Sequence, residues 1–256
     1  MPELEPLLIV RFSLIGATLF IAISAILSLF STRKSIFTIY FAFVFLLLFF
    51  LIRAYLKNFF PFTDKIESFI TLSTLLLICG LLYRKRVTKF EFSAVIFLAL
   101  FSAVTVYIFN DHIRYPTPYL RTVWYPLHVP LSFASYAFWF LAGIVSISGL
   151  KKNQGPSRSV QIQGLQQELN TFGFVFFTIS MIFGGIWGYL AWGAYFLWDP
   201  KLLWAVILWF FYGNLLHIDG LPKFRKWRSP LYLTGIVLIL ITFIGTGFFS
   251  RSIHKF

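Results

Sequence analysis

Apolar runs of about 18–25 residues recur along the chain between short polar stretches, each long enough to cross a hydrocarbon layer of roughly 30 Å as a helix. Marked off in order, they fall near residues 7–30, 36–56, 67–83, 91–110, 126–149, 171–191, 201–218 and 230–250. Backbone groups find no water inside lipid, and no segment alternates with the period of a barrel strand, so these spans read as helices. The expected fold class is all-α: a polytopic integral membrane protein with about eight transmembrane helices. The one long polar connection, "KKNQGPSRSVQIQGLQQELN", reads as a loop leading into the sixth helix.

Composition and charge refine this picture. With 59% hydrophobic and 12% charged residues, a water-soluble globular domain is excluded. A net charge of +13 would suggest nucleic acid in a soluble protein. Here the cations sit in clusters between apolar runs, where they set orientation, and nucleic acid is not an expected partner. One set of connections carries 13 Lys and Arg, including the compact "RKR" and "KFRKWR" clusters, against 8 on the other side and at the termini. The first set is read as cytoplasmic, or stromal in a plastid, which leaves both termini and the "NDHIRYPTPYLRTVWYP" loop extracytoplasmic. The first apolar run lacks a basic leader and reads as a retained helix. Arg11 and Arg53, inside or near apolar spans, are expected to snorkel to the interface. Cys79 is the single cysteine, so any thiol chemistry must use a partner's cysteines.

The segment "WGAYFLWDPK", Trp192–Lys201, gathers the most chemistry. Tryptophan and tyrosine collect at membrane interfaces as anchors, and they also suit the faces and edges of a large flat ring system. Asp199 before Pro200 has the form of a helix N-cap and first-turn proline, a role compatible with a ligand contact. His128 stands at the outer start of the fifth span and His254 past the outer end of the eighth. Together they form a candidate axial pair for haem iron, although a histidine near a helix end can also be merely interfacial. His217 lies sixteen residues after Lys201, about 24 Å deeper along a helix. His112 reads as a loop residue. Trp192, Tyr195, Phe196, Trp198 and Trp204 could pack on haem, and Arg114, Arg121, Lys201 and Arg251 lie at the level where propionates need cations.

"WGAYFLWDPKLLW" resembles the tryptophan-rich WWD signature of haem-handling membrane proteins, and its W-G-x-Y-x-x-W-D-P-K form is closest to the CcsA (ResC) family of system II cytochrome c biogenesis proteins. "WYPLHVPLSFASYA" resembles that family's segment around its first external histidine, "LLH" at His217 its transmembrane histidine, and "GTGFFSRSIH" the stretch ending in its second external histidine. The resemblance covers residues 119–256, taken as the haem-handling region, and extends to residues 1–118, a four-helix membrane region, only in general character. Phe196 stands where the family usually has tryptophan, and Leu202 and Leu203 replace an acidic and polar pair.

The resemblance implies movement of haem b, as a transported substrate, across a bacterial cytoplasmic or thylakoid membrane, and its attachment outside to the C-x-x-C-H cysteines of apocytochrome c. The protein would work with a CcsB-like subunit as part of a holocytochrome c synthase. His128 and His254 would be the external ligands, and Trp187–Trp204 the platform beside the haem. His217 would bind haem on the inner side, with the further histidine of that site supplied by CcsB. The alternatives are a CcmC-like protein loading haem onto a chaperone, a respiratory haem b subunit, and a solute transporter without haem. The first is expected to have fewer helices, and the second to face histidine pairs within the hydrocarbon core.

Overall fold

The computed structural model describes residues 4–109, 113–151 and 155–245, with no β-strand among them. The α-helices follow as α1 (Leu4–Ser28), α2 (Thr32–Lys57), α3 (Lys65–Tyr83), α4 (Lys89–Thr105), α5 (Trp124–Gly149), α6 (Pro156–Trp192), α7 (Pro200–Leu216) and α8 (Arg228–Leu240), the last continuing as a π-helical turn over Ile241–Gly245. Seven stretches of the described residues are long and apolar enough to cross a membrane, and the protein is an integral membrane protein. The departure from eight full spans is α7. Its 17 residues rise about 26 Å, short of a roughly 30 Å core, because Pro200 sets its first turn and His217 already leaves helical geometry.

Local sequence explains the helix ends. Asp64 accepts from the backbone of Glu67 while the Glu67 carboxylate reaches back, a reciprocal capping box that starts α3. Thr88 and Glu91 do the same for α4. α2 stops where Asn58 turns left-handed, with φ of 47°.

The chain divides into two compact units, Met1–Pro126 and Leu127–Phe256. In the first, α1 packs on α2 and α4, and α3 on α4. Leu14, Ala17, Ile21 and Ala25 face this core, while Phe12, Ile15, Leu19 and Ile26 on the same helix are exposed, so α1 is apolar all round, as a lipid-facing helix must be. In the second, α7 packs on α6 and α8.

Of the polar stretch expected as a loop, residues 156–170 are helical instead. Gly155 caps α6, Pro156 occupies its first turn, and the helix runs for 37 residues, about 55 Å. Ile162, Leu165 and Leu169 supply an apolar stripe at helical spacing, and all three are buried; that stripe outweighs the polar residues between them.

Polar links tie the helices of the second unit together. Trp139 of α5 stacks on Tyr212 of α7, with ring centroids 3.8 Å apart and planes 3° from parallel. Its Nε1 donates to Asn170 Oδ1 at 3.1 Å, and Asn170 Nδ2 donates to the Tyr212 carbonyl at 3.1 Å. Such interhelical hydrogen bonds contribute about 0.6 kcal/mol each in a membrane, but they fix rotation and register.

Candidate functional site

His128 lies in the second turn of α5, between Pro126 and Pro130. Its Nδ1 is 2.8 Å from the carbonyl oxygen of Ser180 on α6. A carbonyl can only accept, so Nδ1 carries the proton and Nε2 keeps its lone pair. Nε2 has no hydrogen-bond partner among the described residues. The Ser180 hydroxyl donates to the His128 carbonyl at 2.9 Å and sits 2.5 Å from the Ser132 hydroxyl, so the backbone around the histidine is held as well as its ring. One turn beyond Ser180, Gly184 gives the imidazole room: a Cβ there would stand 2.7 Å from Nδ1.

A neutral imidazole with one nitrogen bonded to a carbonyl and the other open is how a metal-ligating histidine is oriented, which suits it to haem iron. No group of three or more His, Cys, Asp or Glu able to hold a bare metal ion occurs among the described residues.

The aromatic segment folds back over the end of α6. Gly193 adopts φ of 74°, a left-handed conformation that glycine takes without strain, and its N–H closes the helix on the Tyr189 carbonyl at 2.8 Å. The returning chain passes close to two further glycines. A Cβ on Gly188 would lie 3.3 Å from the Ala194 carbonyl, and one on Gly185 would lie 3.6 Å from that of Tyr195. Trp187 is buried and meets Trp192 edge to face at 4.8 Å. Tyr195 stacks on Tyr189 at 4.5 Å, and Phe196 meets Trp198 edge-on at 5.5 Å. Trp198 is 87% exposed, an unusual state for the largest side chain. Asp199 is buried, and its Oδ1 accepts from the Lys201 N–H at 2.9 Å, which makes it the N-cap of α7. Trp204 is half-buried one turn into that helix.

The structure thus brings Trp187, Trp192, Tyr195, Phe196, Trp198 and Asp199 into one turn of chain. It does not bring His217 there. That residue is exposed at the opposite end of α7, its backbone N–H bonded to the Asn214 carbonyl at 3.1 Å. Arg121 is exposed in the first unit, just before α5. His254, Arg251 and His112 lie outside the described residues. Ser132, Ser180 and Gly184 escaped the sequence reading, since serine and glycine are ordinary in apolar helices and only packing shows what they touch.

Arg53 does not snorkel. It is 1% exposed and donates to Glu67 Oε1 at 2.9 Å and to Asp64 Oδ2. Lys57, one turn along α2, donates to Asp64 Oδ2 at 2.7 Å and to Thr63 Oγ1 at 2.9 Å. Two cations and two carboxylates so neutralise one another, which lets four charges stay buried. Burial raises the Asp64 carboxyl, but the charges of Arg53 and Lys57 and the Glu67 N–H outweigh it and hold the group below the usual carboxylate range.

Comparison with known proteins adds to this geometry. The sequence profile of the family described as cytochrome c assembly protein matches residues 62–254. Cytochrome c biogenesis protein CcsA of Prochlorococcus marinus (strain MIT 9515) is 28% identical over 272 residues, covering 91% of this chain and 87% of the relative. CcsA of strain AS9601 is 30% identical over 172 residues, covering 54% of this chain and 55% of the relative. Protein NrfI of Wolinella succinogenes is 30% identical over 219 residues, covering 80% of this chain and 24% of the relative. These alignments span about half of the AS9601 protein and about a quarter of NrfI. Among solved structures, cytochrome c haem lyase CcmF superposes with a TM-score of 0.74 at 16% identity, covering 96% of this chain and 47% of CcmF, a likeness of fold.

Proposed function

Because the chain belongs to the cytochrome c assembly protein family, we propose that it is the CcsA-type subunit that receives haem, holds it at the extracytoplasmic side of the membrane and presents it for attachment to apocytochrome c. The observation that carries this reading is the His128 ring, with Nδ1 held on the Ser180 carbonyl and Nε2 left as a Lewis base.

Haem here is substrate, not resident cofactor. When bound, haem b supplies vinyl groups to which the cysteine thiols of a C-x-x-C-H segment add, giving thioethers. The chain's own residues bind and orient. His128 Nε2 would hold the haem iron, with His254 as the second residue that would hold it. The exposed ring of Trp198, with Phe196 edge-on to it, offers flat apolar surface, and Tyr195 and the packed pair Trp187 and Trp192 add aromatic surface in the same segment. Asp199 acts indirectly, by starting α7 where the aromatic turn ends. No nucleophile is required of this chain, since holding thiol and vinyl in register can supply most of the rate.

His217, at the far end of α7, fits an inner haem site completed by a histidine from a CcsB-like partner. The membrane is the bacterial cytoplasmic or the thylakoid membrane. The test is co-expression with the CcsB-like subunit in haem-replete cells, purification in mild detergent and a visible spectrum. The wild-type complex should show a Soret band that His128→Ala loses or weakens while remaining inserted. An unchanged band in that variant overturns the reading.

A further inference from the structure

The second unit carries a cavity of about 380 Å³ between the end of α5, the polar start of α6 and the start of α8. That volume falls within the roughly 300–1,000 Å³ of small-ligand sites. Its charged lining is all cationic: Lys151, Arg225, Lys226 and Arg228, with no acidic side chain among the described residues that line it. Arg228 is 4% exposed and held in place, its Nη1 donating to the Gln163 carbonyl at 3.3 Å. The basic-residue asymmetry of the sequence assigns this end to the cytoplasmic side, at the depth of lipid headgroups.

A second observation concerns Gln166, which also lines the cavity. It is 0% exposed, and its amide nitrogen is committed to Ser146 Oγ at 2.7 Å, with Ser229 Oγ at 3.4 Å. Its Oε1 has no hydrogen-bond partner. With Gln166 at 0% exposure this oxygen is sealed from the cavity, so the cations alone select what the cavity takes.

We propose that this cavity binds an anionic phosphate ester, the chemistry of an acidic phospholipid headgroup, with the phosphate on the cationic lining of Lys151, Arg225, Lys226 and Arg228. The source is either an anionic phospholipid of the surrounding leaflet or a soluble ester. This inference makes no use of haem and stands apart from the site at His128.

The test is lipid retention, read by native mass spectrometry on the full chain purified into mild detergent and offered phosphatidylglycerol, phosphatidylcholine or sn-glycerol 3-phosphate. Phosphatidylglycerol should be retained over phosphatidylcholine. Lys151→Ala and Lys226→Ala, both at exposed positions that leave the fold intact, should each weaken its retention about five-fold, the worth of one surface cation toward an anionic leaflet. Retention of sn-glycerol 3-phosphate in place of the lipid would support the site and assign it to a soluble ester. Equal retention of phosphatidylcholine and phosphatidylglycerol, or no response to the lysine substitutions, overturns the proposal.

Discussion

Gly184→Ala adds a single methyl group, and the structure says where it goes. The new Cβ would lie 2.7 Å from His128 Nδ1, 2.8 Å from Cε1 and 3.3 Å from Cγ. Ordinary van der Waals contact begins at 3.4 Å, so the imidazole must retreat by about 0.7 Å. A retreat of that size along the bond to Ser180 would stretch it from 2.8 Å to about 3.5 Å, beyond useful hydrogen-bond length. The ring then loses the contact that sets its tautomer and aim. Loss of such an orienting partner typically lowers metal affinity about 10–100-fold. Haem titration of the purified protein, followed at the Soret band, should show a weakening in that range with insertion unchanged.

Two companions on the same helix isolate the effect. Gly164→Ala meets nothing within 4 Å and should stabilise α6 by about 1 kcal/mol without touching haem binding. Gly185→Ala places its methyl 3.6 Å from the Tyr195 carbonyl, an ordinary contact. Combining Gly184→Ala with His128→Ala should be no worse than His128→Ala alone, because both act through one ring. Wild-type haem affinity in Gly184→Ala would refute the assignment of Nε2 as ligand.

Glu67→Gln places an amide against two cations and the backbone N–H groups of Thr63 and Asp64. Breaking such a buried ion cluster should cost about 3–5 kcal/mol, read as earlier unfolding in a detergent–SDS titration. Because the Asp64 carboxyl is held low in the folded state, its contribution is fully present above the ordinary carboxylate value of about 3.9 and is lost as pH falls through the depressed folded value. Acid unfolding followed by circular dichroism should therefore lose part of its steep limb in Asp64→Asn, and an identical limb would contradict the assignment. Trp198→Ala should leave the unfolding midpoint within about 0.5 kcal/mol, as an exposed site does, while weakening haem retention. Trp187→Ala, at 4% exposure, should cost about 3–5 kcal/mol. Equal stability losses in the two variants would show that the exposed ring is part of the core.

Much of the fold was legible because it is written in neighbours a few residues apart. Long apolar runs mark the helices and "WDPK" marks the start of α7, while the equally local capping boxes at Asp64 and Thr88 escaped the sequence reading. The aromatic turn was legible for the same reason, since Gly193, Asp199 and Pro200 shape it locally. The start of α6 misled because glycine, proline and serine ahead of many glutamines have the composition of a loop. The buried stripe of Ile162, Leu165 and Leu169 outweighs it only once a neighbouring helix covers that face.

The sequence by itself determined that this chain lies in a membrane as helices, roughly where all of them but α6 begin, and which residues are chemically unusual. Tertiary structure alone decided what those residues touch. It set His128 against a carbonyl 52 residues away, and it drew Arg53 inward onto Asp64 and Glu67 instead of outward to the interface. The physical reason is that helices apolar on every side carry almost no record of their own rotation. The face turned inward is settled by close contacts between small residues and by the few hydrogen bonds lipid cannot supply, and these exist only once the helices have met.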